Sequence, residues 1–203
     1  MLYLRLTKID SQMSILELVT RTRTVRRYQE DKAISLDTLR GLVNLARLAQ
    51  CGANRQAIRY YLVTKPVLRE QIFPTLGWAA YLTDWAGPAE GERPAAYIIQ
   101  VEDGAFPCLR PVDPGFAAQN LVLGAAEQGL GTCLIDNVKR EALAKVLQLP
   151  EGWRVLYVIA LGVPAETVEI RPVTPEHDIK YWREGRCHCV PKRALEDIIY
   201  AEE

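Results

Sequence analysis

Four arginines fall within seven residues in the run Arg21-Thr-Arg-Thr-Val-Arg-Arg-Tyr28. The neighbouring acids, Glu17, Glu30 and Asp31, are too few to pair with all of them, so positive charge is left over for a ligand. A guanidinium presents its N–H groups in a fixed fork that matches phosphate oxygens, and each charge-assisted contact contributes about 1.5–3 kcal/mol when shielded from water. Alone, the run would read as a solvated basic helix end. With Asn54-Arg-Gln56 farther along and Lys192-Arg193 near the end, it reads as a binding site for one organic phosphate. Arg27 within the run reads as an ion-paired side chain, and Asn54 reads equally as a ligand contact or a loop-capping amide.

Other chemistry lacks its residues. The stretch Gly124-Ala-Ala-Glu-Gln-Gly-Leu-Gly131 has the glycine spacing of neither a Walker loop nor a dinucleotide fingerprint, so phosphate capture falls to side chains. The two histidines, His177 and His188, both lie late in the chain and define no nucleophilic triad. Cys187-His188-Cys189 suggests a metal, but a structural site needs four ligands, and on a strand His188 would face away from the two cysteines. An enzyme built on these residues would draw its reactivity from a bound cofactor.

The elements that position the basic run follow from periodicity. Ser14–Thr20 is a short apolar helical stretch. Ser35 and Asp37 open a helix to about Gln50, with Leu39, Leu42, Val43, Ala46 and Ala49 on one stripe. Tyr60–Thr64, Ala95–Val101, Thr132–Ile135 and Val155–Leu161 read as strands, the last buried on both faces. Pro66 starts a helix, Phe116–Gly129 forms one that is apolar on nearly every side, and Asn137 caps another to Leu147. The aromatic stretch Trp78–Trp85, with Tyr81, dissolves into turns by Pro94. It reads as a lid or specificity element, or as an ordinary surface excursion. From Pro164 to Pro191 the chain is polar and broken by prolines, too long and polar to fold onto its own core. Leu195–Tyr200 then reads as a last strand suited to another subunit's sheet.

Composition narrows the classes. The 203 residues suit one domain, with 1–13 as an N-terminal segment and 14–203 as the folded unit, of which 164–203 is a C-terminal arm. Lysine plus arginine equals aspartate plus glutamate at 25 each, so no global field draws nucleic acid or an anionic membrane. No apolar run reaches membrane-spanning length, and five cysteines at irregular spacing read as reduced thiols. The chain is therefore expected to be soluble and cytoplasmic.

Four segments in order carry a resemblance. Arg23-Thr-Val-Arg-Arg-Tyr28, Gln50-Cys-Gly-Ala-Asn-Arg-Gln-Ala57, Gly129-Leu-Gly-Thr-Cys133 and Lys192-Arg193 are similar to successive motifs of the nitroreductase family of FMN-dependent flavoproteins. The chain departs from the family at Thr22, where many relatives have arginine, and at Gln50-Cys51, where they have Pro-Ser. The resemblance implies an α+β, three-layer fold with a mainly antiparallel central sheet and helices on both faces. It also implies a domain-swapped homodimer with C-terminal arm exchange and FMN at the subunit interface. By resemblance, Arg23, Thr24, Lys192 and Arg193 hold the ribityl phosphate and Arg26 lies at the pyrimidine edge. Asn54 and Gln56 bond ribityl or ring atoms, the backbone of Leu134 and Ile135 approaches the central ring, and Trp78, Tyr81 and Trp85 border the substrate. NAD(P)H is then a transient reductant of FMN in a ping-pong reaction whose acceptor is a nitroaromatic, quinone or activated alkene. A reductive dehalogenase, a flavin-consuming enzyme and a flavin carrier or redox sensor are the alternatives.

Overall fold

The computed structural model describes residues 13–176 and 178–203, so His177 and all but the last residue of the segment 1–13 lie outside the described residues. The first helix, α1 (Ile15–Arg21), is held by its N-terminus: Ser14 accepts the Glu17 N–H and the Glu17 carboxylate accepts the Ser14 N–H, yet no residue of the helix is buried. In α2 (Leu36–Ala46) Ser35 is the cap, and Leu39, Leu42 and Ala46 form the buried stripe. It stops short of Gln50 because Leu48 and Ala49 tighten into i→i−3 bonds.

Next come β1 (Arg59–Val63), α3 (Pro66–Ile72), β2 (Ala96–Asp103), α4 (Asp113–Glu127), β3 (Gly131–Ile135), α5 (Arg140–Val146) and β4 (Trp153–Gly162). The predicted cap Asn137 does not start α5. Its carbonyl accepts the Gly77 N–H and Val138 bridges to Leu76, so this segment is tied to the neighbouring loop instead. The strands form one sheet in the order β1-β2-β4-β3, antiparallel at every pairing. Because side chains alternate across a strand, β2 and β4 feed two apolar layers. Ile98, Ile159 and Leu161 pack against α2 and α4, while Tyr97, Ile99 and Val158 pack with Ile72 of α3 and Leu143 of α5. Helices thus cover both faces, and β4 is buried as its unbroken apolar run predicts. Among the described residues no helix is long and apolar enough to cross a membrane.

The basic run lies along the free edge of this sheet. Thr24 makes a parallel bridge to Thr132, and the Val25 N–H donates to the Thr132 carbonyl at 2.9 Å. Gly131 permits the approach: a Cβ there would sit 2.8 Å from the Val25 Cβ, which cannot rotate away. Gly131→Ala is therefore expected to cost about 1–3 kcal/mol by overpacking, read as a lower urea midpoint at unchanged slope. A neutral result would show that the run is not held tightly against β3.

The C-terminal segment departs from expectation. Instead of an irregular arm it forms a second sheet of β5 (Thr167–Pro172), β6 (Trp182–Glu184) and β7 (Cys187–Lys192), in the order β5-β7-β6. It folds back on its own chain: the Ala165 N–H donates to the Arg27 carbonyl at 2.9 Å and Tyr28 bridges to Pro164. The buried Glu166 carboxylate supplies the acceptors that make this possible for so polar a segment. The predicted last strand Leu195–Tyr200 is not one. It turns through bonds from Asp197, Ile198 and Ile199 back to Ala194 and Leu195, and Leu195, Ile198 and Tyr200 stay exposed, with no other described residue covering them.

Candidate functional site

Where the basic run meets β3 and α4, a cavity of about 180 Å³ is lined by Thr22, Arg23, Thr24, Gly115, Ala118, Gln119, Val122, Thr132 and Leu134. The small residues Gly115 and Ala118 on one face of α4 open the space. β3 is an edge strand, so Leu134 reaches the rim with its side chain 44% exposed. One Arg23 nitrogen, Nη2, donates to the Val19 carbonyl at 2.9 Å, whereas Nε is buried with no partner. The cavity's donors are a guanidinium, hydroxyls and the Gln119 amide. That set fits a phosphate ester, although the space is smaller than the roughly 300–1,000 Å³ of a complete ligand pocket.

Three of the expected cofactor-binding residues, Arg23, Thr24 and Leu134, meet here. Ile135 is buried one position farther along the same strand. Asn54 and Gln56 are elsewhere, on an exposed loop in which Ala53, Asn54 and Gln56 all have φ near +50°. Such backbone costs about 1–3 kcal/mol per non-glycine residue and tends to persist where a function needs it. Gln56 lines another cavity of about 230 Å³ with Cys51, Tyr60, Cys108 and Ala117. Lys192, the last residue of β7, and Arg193 after it are exposed and line neither space.

Arg26 does not line the Arg23 cavity either. Its Nη1 lies 2.9 Å from Nε2 of His188, and its guanidinium sits 4.8 Å from the centre of the Tyr181 ring. Burial, then Arg26 and Arg183, pushes His188 down to about 4, so the imidazole is neutral and accepts at Nε2. Its other nitrogen, Nδ1, is buried without a partner. The aromatic stretch gathers at the same place: Tyr81 stacks on Tyr181 at 5.0 Å, and Trp85 lies 4.0 Å from the Arg183 guanidinium. Trp78 instead packs on Phe73 against the core. Arg27 forms its expected ion pair, half-buried, with Glu92 at 3.1 Å. The thiol beside Leu134, Cys133, is pushed up to about 11 by burial and is a packed, neutral group.

Two residues of this region, Glu166 and Gln119, carry no signal in the sequence. Glu166 accepts the N–H groups of Arg26 and Arg27 at 2.5 and 3.1 Å and pairs with Arg183 at 3.1 Å. Its separation from the basic run hid it from a search for nearby acids. Gln119, which lines the Arg23 cavity from α4, stands beside Asn120 in the sequence and has no signal of its own there.

The family model for the nitroreductase family matches residues 19–163. A Cr(VI) reductase of Pseudomonas sp. strain G-1 is 29% identical over 177 residues, covering 78% of this chain and 70% of that protein. A NADPH-flavin oxidoreductase of Vibrio harveyi is 33% identical over 81 residues, which is 39% of this chain and only 34% of that protein's length. Among solved structures, an FMN-dependent nitroreductase from Clostridium difficile R20291 superposes with a TM-score of 0.62 at 20% identity, covering 76% of this chain and 90% of that one. The match runs through the basic run, α4 and β3, the parts that line the Arg23 cavity, and on to β4, and on that ground the chain belongs to the nitroreductase family.

Proposed function

We propose that the protein is a cytoplasmic FMN-dependent oxidoreductase that uses NAD(P)H to reduce an electron-poor organic acceptor, a nitroaromatic, quinone or activated alkene. The observation that carries this is the cavity in which the Arg23 side chain, the hydroxyls of Thr22, Thr24 and Thr132 and the Gln119 amide come together. The Cr(VI) reductase and NADPH-flavin oxidoreductase relatives support the redox class. The chemistry FMN supplies when bound is two-electron exchange, in two half-reactions, between NAD(P)H and the acceptor.

The chain's own residues bind and orient. Arg23 and Thr24 would hold the phosphate, and the edge of β3 at Leu134 and Ile135 would offer backbone groups to the ring. Arg26, steadied by His188, would set positive charge beside the pyrimidine edge, where negative charge grows during hydride transfer. Trp85, Tyr81 and Tyr181 would border the acceptor, with Trp78 fixing their loop from the core side.

Asn54 and Gln56 stand outside the Arg23 cavity, so we assign their contacts to a second copy of the chain in a homodimer. The cavity's small volume and the exposed apolar side chains of Ile15, Leu16 and Phe116 support that assembly. The exposed end of the chain, with Lys192, Arg193, Ile198 and Tyr200, would be exchanged between subunits and add its cations at the phosphate. The test is to release and weigh the cofactor of the purified protein, measure its sedimentation, and assay NADH and NADPH oxidation with an acceptor panel. One FMN per chain, a dimer and acceptor-dependent turnover are expected. FAD, or no flavin after reconstitution, would remove the reading.

A further inference from the structure

Cys187 and Cys189 share one face of β7 with their Sγ atoms 3.8 Å apart. His188 between them turns to the other face, toward Arg26. Cys189 is buried and Cys187 is half-buried. Burial pushes the Cys189 thiol up, while the nearby Arg171 guanidinium, paired with Glu169 and Glu184, pulls it the other way. Among the described residues no group of three histidine, cysteine, aspartate or glutamate side chains is arranged to hold a metal ion. Two thiols in van der Waals contact, one reachable and one beside a fixed cation, suit thiol–disulfide exchange better than ligation.

We propose that Cys187 and Cys189 form a reversible dithiol–disulfide couple, a redox-modification site that exchanges with low-molecular-weight disulfides. Cys187 gives its proton to solvent and attacks one sulfur of the small disulfide. That S–S bond breaks and one small thiolate leaves. Cys189 then loses its proton and attacks the Cys187 sulfur, expelling the second small thiolate. The protein loses two hydrogens and two electrons, and the small disulfide becomes two thiols.

Strand geometry keeps the couple reversible. Residues i and i+2 of an extended strand have Cα atoms about 6.4–6.8 Å apart, at the top of the roughly 4.4–6.8 Å that a disulfide spans. Closing the ring must shorten β7 locally, and a strained disulfide is readily reduced. Because β7 is the middle strand of its sheet, the contraction falls directly on His188, which holds Arg26.

The test uses the wild-type protein in buffers of reduced and oxidised glutathione, quenched by alkylation under denaturing conditions, digested and weighed. The peptide carrying both cysteines is expected in two forms, doubly alkylated or two hydrogens lighter than the free dithiol. Halving reduced glutathione at fixed oxidised glutathione should raise the disulfide-to-dithiol ratio about fourfold, as an intramolecular couple requires. Cys187→Ser should abolish the lighter form. Three outcomes would overturn the proposal. They are full alkylation at every ratio, a glutathione adduct on Cys187 whose share only about doubles, and a bond from either cysteine to Cys51, Cys108, Cys133 or another chain.

Discussion

Glu166→Ala is expected to lower unfolding free energy by about 3–5 kcal/mol, the cost of removing one partner of a buried ion pair. The carboxylate is only 1% exposed and its partner Arg183 13% exposed, so water cannot replace it. Two backbone donors of the basic run, at Arg26 and Arg27, lose their acceptor in the same step. Burial already holds Arg183 below the usual arginine range while Glu166 pulls the other way, the mark of a charge that depends on its partner. Urea denaturation of wild type and variant gives the number. Glu166→Gln should recover part of the loss, since an amide oxygen can still accept from the backbone. A loss under about 1 kcal/mol, typical of exposed pairs, would mean that the C-terminal sheet is fastened some other way.

Arg23→Gln is expected to weaken FMN binding by about tenfold to a hundredfold, equivalent to losing one charge-assisted phosphate contact of about 1.5–3 kcal/mol. Fold stability should change little, because the side chain's intramolecular bond is a single one to the Val19 carbonyl. Arg26→Gln is the contrasting variant. With its guanidinium on His188 and Tyr181 rather than in the Arg23 cavity, it should lower the flavin midpoint potential and slow reduction while leaving phosphate affinity near wild type. Dissociation constants and redox titrations on both proteins separate the two roles. If Arg26→Gln merely releases flavin at an unchanged potential, the whole run serves the phosphate.

The central domain was legible in the sequence because its elements are coupled to burial. The Leu39–Leu42–Ala46 stripe, the continuous apolar run of β4 and the short strand after Gly129 appear with boundaries shifted by a few residues. The second sheet was not legible. β5 shows no regular alternation of half-buried and exposed positions, contains no apolar run and ends at Pro172, so nothing in its pattern separates it from a loop. Leu195–Tyr200 misled in the opposite way, since apolar residues that await another surface look the same as residues that fill a core. In the site, Arg23, Thr24 and Leu134 could be named because each sits in a local motif. Glu166 could not, because what matters about it is a contact across the chain.

The basic run is placed by connections that span most of the described chain. Thr24 bridges to Thr132, and Arg26 bonds to Glu166 140 positions away. Loop closure of that span adds only about 0.6 kcal/mol for each doubling of length, but it cannot be completed until the sheet between the two ends has formed. The pieces of the site are therefore assembled late on the folding path, and contacts made late can be the first to open in the native state. On the proposed function, the segment that would grip the phosphate is the one whose order would gain most from a bound ligand, so that occupancy would act as a final folding step for residues 23–27 rather than as the filling of a finished mould.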